Sequence, residues 1–185
     1  MFIWVKVELP HGFDYKGRYI FMPNHVSLID SPLMAAYIPQ FINALEAKEH
    51  FSWPIYGKLV AQWGNIPIDR KSIRASFNSI KEAGQRVNES NSIIVFPEGG
   101  RTSNGELMRF KKMPFHLAKE AEVAIIPVGV SGIFSVNPKG TWLLRPGKVL
   151  LKLGAPIPVE RVKSLSTEEL MEETRAKVLD LIEYI

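Results

Sequence analysis

The run YIFMPNHVSLID, which occupies residues 19–30, passes from a strand pattern into a helix pattern. Its first four residues are apolar, and a short continuous apolar run is typical of a strand that is buried on both faces. Pro32 suits the first turn of the helix that follows, and Ser27 or Ser31 can cap it. We therefore predict that His25 lies where a strand ends and before a helix begins.

Four further apolar runs repeat the strand pattern, at residues 41–45, 92–96, 124–130 and 149–153. Apolar residues recur at helical spacing over 73–87 and over 170–181, and a capping box of Ser166 and Glu169 opens the second of these helices. Strands that alternate with helices predict an α/β fold with a mostly parallel β-sheet flanked by helices. No repeat or linker divides the chain, so we expect a single domain over residues 1–185. Functional groups in such folds collect at the C-terminal ends of strands.

The composition argues against several kinds of site. The 185 residues include no cysteine and only four histidines, so we expect no disulfide, no thiolate chemistry and no metal site. The net charge of +4 favours anionic partners such as phosphorylated molecules or anionic lipid. No helix-turn-helix, zinc finger or aromatic RNA-binding run is present, so we expect no nucleic-acid partner.

The chain contains no apolar run of the roughly 20 residues that a membrane-spanning helix needs. Residues 2–7 read as a strand rather than as a signal peptide, because no small-residue cleavage site follows them. Any membrane contact is therefore expected to be peripheral, unless a segment precedes the sequence given.

His25 and Asp30 form the first candidate pair for chemistry. Five residues turn by about 140° on an ideal helix, so the two side chains can meet only if His25 lies in the loop and Asp30 in the first helical turn. An imidazole is the natural general base near neutral pH, and a carboxylate on its Nδ1–H fixes the tautomer and stabilises the imidazolium. The alternative is an ordinary loop histidine beside a helix-start carboxylate.

The run FPEGGRTS, at residues 96–103, is the second candidate, and it also follows a strand. Gly99 and Gly100 let the backbone approach a ligand, and Arg101 can hold phosphate oxygens through two hydrogen bonds. Arg70, in the run IPIDR at residues 66–70, is a second candidate phosphate ligand. Taken singly, these runs are more typical of a solvated turn (residues 96–103) and of a surface ion pair (Asp69 with Arg70) than of a phosphate site.

Residues 50–63, HFSWPIYGKLVAQW, have a helical pattern that is apolar nearly all round. The aromatic side chains of Trp53, Tyr56 and Trp63 suit an acyl-chain channel or a membrane-interface face. The alternative is a buried core helix, because helices that are apolar all round are usually buried.

In their order along the chain, these runs resemble the four motifs of the glycerolipid acyltransferases, and most closely the 1-acylglycerol-3-phosphate (lysophosphatidic acid) acyltransferases of PlsC type. The motif residues are Asn24-His25 with Asp30, Ile68-Asp69-Arg70, the run at 96–101, and Ile125-Ile126-Pro127-Val128. The resemblance extends over about residues 19–157. It departs from the family at Gly100, where threonine is usual, at Pro67, where a bulkier residue is usual, and at the start, where a hydrophobic helical segment is usual. The first two departures leave the acceptor preference open.

The resemblance implies a glycerol-3-phosphate acyltransferase-like fold. It also implies transfer of a fatty acyl group from acyl-ACP or acyl-CoA to the free hydroxyl of 1-acylglycerol-3-phosphate, which gives phosphatidic acid. His25 would deprotonate that hydroxyl and Asp30 would orient His25. The residues implied to hold the acceptor's phosphate are Arg70, Glu98, Gly99, Gly100 and Arg101, and those implied to form the site wall are Asn24 and Pro127.

The thioester would be the co-substrate, and no cofactor is implied. The partners would be a lysophospholipid, an acyl-carrier protein or CoA thioester, and the cytoplasmic face of the cell membrane, bound peripherally. Other acceptors, such as glycerol-3-phosphate or another lysolipid, remain open, as does a non-catalytic phospholipid-binding module on the same scaffold. The pairing of His25 with Asp30 favours the enzyme, because a binding module has no use for a paired base.

Overall fold

The computed structural model describes residues 2–69 and 91–183. The helix that we predicted over residues 73–87 and the candidate phosphate ligand Arg70 lie outside the described residues. The strands of the described part are β1 (Ile3–Glu8), β2 (Tyr19–Pro23), β3 (Ile42–Ala47), β4 (Ile66–Ile68), β5 (Ser92–Ile94), β6 (Ala124–Ser131) and β7 (Gly147–Leu153). They form one seven-stranded sheet in the order β1-β7-β6-β2-β5-β3-β4.

The sheet is mostly parallel, as predicted. Strands β2 to β6 all run in one direction, because β2 pairs in parallel with both β5 and β6, and β3 pairs in parallel with β4 and β5. Strand β7 is antiparallel to β6, and β1 is parallel to β7. Strands β2 to β6 therefore end at one edge of the sheet, where β7 and β1 begin. We call this edge the C-terminal edge.

The helices are α1 (Asp30–Tyr37), α2 (Tyr56–Gln62), α3 (Met113–Ala121), α4 (Ile133–Val136), α5 (Val159–Ser164) and α6 (Thr167–Leu181), with a 3-10 helix over Lys48–Ser52. The capping box of α6 is confirmed, because Ser166 Oγ accepts the N–H of Glu169, and the Glu169 carboxylate accepts the N–H of Ser166. No side chain of the described residues caps α1, so the predicted cap by Ser27 or Ser31 is wrong. The Ser27 hydroxyl instead donates to Asn137.

Residues 50–63 do not form one continuous helix. Pro54 separates the 3-10 helix from α2, and Ile55 adopts a φ of 63°, which is unusual for a β-branched residue. Trp53, Leu59 and Trp63 are all exposed. The alternative of a buried core helix is therefore wrong for this segment.

Hydrophobic clusters cover both faces of the sheet, and strand β2 contributes to each. Ile20 and Met22 face the cluster that includes Phe115 of α3 and Val178 of α6. Phe21 faces the opposite cluster with Met34 of α1. This two-sided burial explains why the strands appear in the sequence as continuous apolar runs. No helix in the described part of the chain is both long enough and apolar enough to span a bilayer.

Candidate active site

His25 and Asp30 meet as the spacing predicted, with His25 in the loop after β2 and Asp30 as the first residue of α1. His25 Nδ1 lies 2.7 Å from Asp30 Oδ2, and the Asp30 side chain is fully buried. The same Oδ2 accepts the backbone N–H groups of Val26 (2.8 Å) and Ser27 (2.9 Å). Among the described residues, the other oxygen, Oδ1, has no hydrogen-bond partner.

This geometry determines which nitrogen of His25 is available to a ligand. An ionised carboxylate can only accept a hydrogen bond, so Nδ1 carries the proton and Nε2 keeps its lone pair. The imidazole is stacked on Phe96, with ring centroids 4.0 Å apart and an interplanar angle of 24°. Both rings line one cavity of about 650 Å³ at the C-terminal edge. His25 therefore has a buried carboxylate behind Nδ1 and a ring that lines a cavity, which is an arrangement that suits a general base.

Glu98 has a different position from the one predicted. Its side chain is buried, with Oε1 accepting the N–H of His25 (2.6 Å) and Oε2 accepting the N–H of Met108 (2.8 Å). Burial raises the pKa of Glu98, against the opposing effect of these two N–H donors. The prediction that Glu98 binds phosphate is wrong, because both oxygens are engaged within the protein. Glu98 links the loop after β5 to the backbone of His25.

Asn24 and Pro127 were predicted to form the site wall, and neither is among the described residues that line the cavity. The buried side chain of Asn24 instead links β2 to β6, because it donates to Val130 O (2.9 Å) and accepts the N–H of Val130 (2.7 Å). Pro127 lies within β6 opposite Met22, with its ring against Gly154. Both residues position strands, and the wall prediction is wrong for both.

The cavity has a basic part and an apolar part. Arg101, Gly99 and Gly100 line it as expected, and Lys111 and Lys139 add two further positive charges. Gly99 has a φ of 73°, which favours glycine at this turn. The apolar lining comes from the side chains of Leu45, Ile68, Val95, Met113 and Leu117. Lys139 was not predicted, although it follows β6 closely and could have been found from the rule that sites collect at strand ends.

A second histidine–carboxylate pair lines the same cavity and was not predicted. His50 Nδ1 is hydrogen-bonded to Glu46 Oε1, and the Tyr56 hydroxyl donates to Glu46 Oε2 at 3.4 Å. Burial, reinforced by the Glu46 charge, raises the pKa of Tyr56 to about 12, so its phenol keeps its proton at neutral pH. Trp53 packs on His50 with ring centroids 4.4 Å apart.

The three aromatic residues that we predicted for acyl-chain or membrane contact are divided between two places. Trp53 and Tyr56 line the cavity, whereas Trp63 is not among the described residues that line it. The Trp63 indole donates to Ile42 O at the start of β3 and stacks on Phe41. Trp63 therefore lies at the edge of the sheet opposite the site, because α2 runs from one edge to the other.

A family model described as Acyltransferase matches residues 5–131, which is more than half of the chain. The chain belongs to the acyltransferase family. A 1-acyl-sn-glycerol-3-phosphate acyltransferase of Limnanthes alba is 34% identical over 84% of this chain and 57% of that protein. One of Haemophilus influenzae is 32% identical over 94% of this chain and 76% of that protein.

The fold of this acyltransferase family member has a solved counterpart. The structure of the 1-acyl-sn-glycerophosphate (LPA) acyltransferase PlsC from Thermotoga maritima superposes with a TM-score of 0.82. It is 27% identical, and the match covers 95% of this chain and 69% of that one. The predicted fold class is confirmed. The chain spans little more than half the length of the Limnanthes alba protein.

In this member of the acyltransferase family, we expect the Glu98→Gln variant to unfold more easily. The amide offers one acceptor where two backbone N–H donors converge, so one donor loses its partner. Leaving a buried donor unpaired costs about 1–3 kcal/mol, so the free energy of unfolding in urea should fall by about that amount. Glu106→Gln is the matched control, because Glu106 lies in the same loop and is exposed. Equal stability of the two variants would contradict the role assigned to Glu98.

Proposed function

We propose that this chain transfers a fatty acyl group from a thioester to the free hydroxyl of 1-acylglycerol-3-phosphate. The observation that carries the proposal is the His25–Asp30 pair, because it places a base with a fixed tautomer in a cavity lined by Arg101, Lys111 and Lys139. The similarity to 1-acyl-sn-glycerol-3-phosphate acyltransferases supports the same reaction class. A binding module needs the three cations but does not need the buried carboxylate behind the imidazole.

The reaction proceeds by general-base catalysis at His25. Nε2 removes the hydroxyl proton of the acceptor while the oxygen attacks the thioester carbonyl carbon, and the new C–O bond gives a tetrahedral oxyanion. Collapse of this intermediate breaks the C–S bond, and the imidazolium returns the proton to the departing thiolate. A positioned base of this kind contributes about 10²–10⁴-fold to the rate. The thioester is already activated, so this sequence requires no cofactor.

Asp30 supports this proton transfer without exchanging protons with substrate. Its Oδ2 holds Nδ1–H, and the two further hydrogen bonds from the N–H groups of Val26 and Ser27 fix the carboxylate in direction. When Nε2 takes the proton, the imidazolium therefore forms beside a negative charge. Phe96 covers one face of the ring and limits its rotation.

The acceptor's phosphate binds at the basic part of the cavity. The guanidinium of Arg101 and the ammonium groups of Lys111 and Lys139 supply the charge, while the turn at Gly99 and Gly100 allows close approach of the backbone. Arg70 remains a proposed fourth ligand. Because the free hydroxyl of the acceptor lies a few bonds from its phosphate, binding there places the hydroxyl near His25.

The acyl chain occupies the apolar part of the cavity, against Val95, Met113 and Leu117. Leu117 and Val95 belong to the buried core, so this part of the cavity is a depression in the hydrophobic interior. Trp53 and Tyr56 extend the apolar lining. The donor is a thioester of either CoA or an acyl-carrier protein. We place the enzyme peripherally at the cytoplasmic face of the membrane, where its lipid acceptor and product reside.

The test is product analysis by mass spectrometry. Purified protein is given an acyl thioester and, in separate reactions, 1-acylglycerol-3-phosphate, glycerol-3-phosphate and a lysolipid without a terminal phosphate. We expect phosphatidic acid from the first acceptor as the main product. Product from another acceptor alone would replace the proposed substrate, and no product from any acceptor would favour a binding module.

For the phosphate site, we expect Arg101→Ala to raise the KM for the acceptor and leave the KM for the thioester nearly unchanged. A hydrogen bond to a charged group contributes about 1.5–3 kcal/mol, which corresponds to a rise of roughly tenfold or more. Arg101→Lys should restore part of the loss, since a point charge cannot reproduce the planar pair of N–H donors. Arg109→Ala, an exposed cation outside the cavity, is the control. An equal rise in both KM values would show general disruption of the site.

A further inference from the structure

Two adjacent apolar side chains project from the loop of residues 137–146, between α4 and β7. The indole of Trp142 is 81% exposed and the side chain of Leu143 is 61% exposed. Exposed large apolar residues are common singly, but a contiguous group marks an interaction surface. We call this segment the 137–146 loop.

The 137–146 loop lies at the same edge of the sheet as the candidate active site. It leaves α4, which follows the end of β6, and it enters β7, which begins at the C-terminal edge. Strand β1 begins at that edge as well, because Ile3 is opposite Gly147. Phe2 (74% exposed), just before this strand, and Trp4 (69% exposed), within it, add two more aromatic rings there. Four large apolar side chains are therefore exposed on the side where the cavity lies.

The 137–146 loop is hydrogen-bonded to the loop after β2, which carries His25, and to Arg101. The buried side chain of Asn137 donates to the carbonyl oxygens of Thr141 (3.1 Å) and Leu143 (3.2 Å), and it accepts the hydroxyl of Ser27 (2.8 Å). Lys139 Nζ donates to the carbonyl oxygen of Arg101 (2.9 Å). These hydrogen bonds fix the backbone that carries Trp142 and Leu143 relative to His25 and Arg101.

The charged residues of the 137–146 loop and of the chain on either side of it have one sign. No Asp or Glu occurs between Glu122 and Glu160, and the cations at the beginning of β7 and in the loop before it, Lys139, Arg145 and Lys148, are exposed. Exposed aromatic residues bordered by lysine and arginine fit an anionic phospholipid surface, where the rings enter the headgroup region and the cations meet the lipid charge.

We infer that the 137–146 loop docks on the anionic surface of a bilayer and holds the cavity at that surface. This inference rests on the proposed function. If the acceptor is a lipid of the bilayer, the cavity that binds it must face the bilayer. Three observations support the docking surface independently of that function. Trp142 and Leu143 are exposed, Asn137 holds their backbone through hydrogen bonds, and the charged residues of the loop are all positive.

The test is co-sedimentation with phosphatidylcholine vesicles that contain phosphatidylglycerol. Removing a side chain as large as that of Trp142 should weaken partitioning of the Trp142→Ala variant by roughly tenfold. Higher salt should weaken binding of the wild type further, since the lipid charge is screened. Phe41→Ala is the matched control, because Phe41 is an exposed aromatic residue (55%) at the opposite edge of the sheet.

Each outcome of this experiment decides the inference. Undiminished sedimentation of Trp142→Ala would overturn it, as would a loss in Phe41→Ala alone, which would assign docking to the opposite edge. A change in oligomeric state of Trp142→Ala, measured by light scattering, would assign the surface to a second copy of the chain. Acyl transfer is assayed separately with a short-chain acceptor dissolved as monomers, and we expect Trp142→Ala to retain it. If wild type binds vesicles through Trp142 but transfers no acyl group to any acceptor, the docking surface stands and the proposed reaction fails.

Discussion

The His25→Ala variant should lose acyl transfer by about 10²–10⁴-fold in kcat while keeping its fold, because the substitution removes the proton acceptor at the attacking hydroxyl. His25 is partly exposed to the cavity, so its removal leaves no buried void of the kind that destabilises a core. Initial rates with saturating thioester and acceptor measure the effect. Circular dichroism and urea unfolding check that the variant is folded.

His11→Ala is the control for this experiment, because His11 is an exposed histidine in the turn after β1. We expect it to match the wild type in rate and in stability. The KM values for both substrates should change little in His25→Ala, since the base contacts the acceptor only through the transferred proton. Near-normal turnover by the purified His25→Ala variant would rule out the mechanism proposed for this site.

The second large effect is expected for Asp30→Asn, which should reduce kcat by at least about a hundredfold. If the amide oxygen takes the place of Oδ2, the three hydrogen bonds persist but the negative charge beside the imidazolium is lost. If the amide nitrogen takes that place, it faces the N–H donors of Val26 and Ser27, and His25 is held in the other tautomer. Both orientations leave Nε2 a poorer base.

The size of this loss is measured as kcat against pH, together with the free energy of unfolding. Asp180→Asn changes an exposed carboxylate on α6 and serves as the matched control. An Asp30→Asn variant that retained wild-type kcat at neutral pH would show that the carboxylate only shapes the loop. A variant that failed to fold would be replaced by Asp30→Glu, which keeps the charge but displaces it.

The sequence predicted the sheet well where burial dominates the pattern. Continuous apolar runs identified five of its strands, because strands covered on both faces have no polar side. Strand β4 escaped prediction, since three residues with Pro67 among them make no recognisable run. The helix predicted over residues 50–63 is interrupted, because Pro54 cannot continue it. The prediction failed because it followed the apolar pattern and gave Pro54 too little weight.

The candidate site was predicted in part. The spacing of His25 and Asp30 was enough to place one in a loop and the other in a helical turn, because both lie on one short segment. The roles of Glu98 and Asn24 could not be predicted in this way. Glu98 accepts a hydrogen bond from His25, 73 residues away, and Asn24 bonds to Val130, 106 residues away, so their roles depend on the tertiary fold. The Glu46–His50 pair has helical spacing, but only the fold shows that it faces the same cavity as His25.

The hydrogen bond between Ser27 and Asn137 also has a consequence for how the chain folds. It joins residues 110 positions apart, the bond from Asn24 to Val130 joins residues 106 apart, and the bond from the N–H of His25 to Glu98 joins residues 73 apart. Contacts of such long range incur a large loop-closure entropy and form late in folding. A nascent chain that has emerged only through β5 carries His25 and Asp30 without the partners that orient their loop. On the proposed mechanism, catalysis therefore requires the completely folded domain, because the partners that orient the loop of His25 are in place only after the C-terminal strands have joined the sheet.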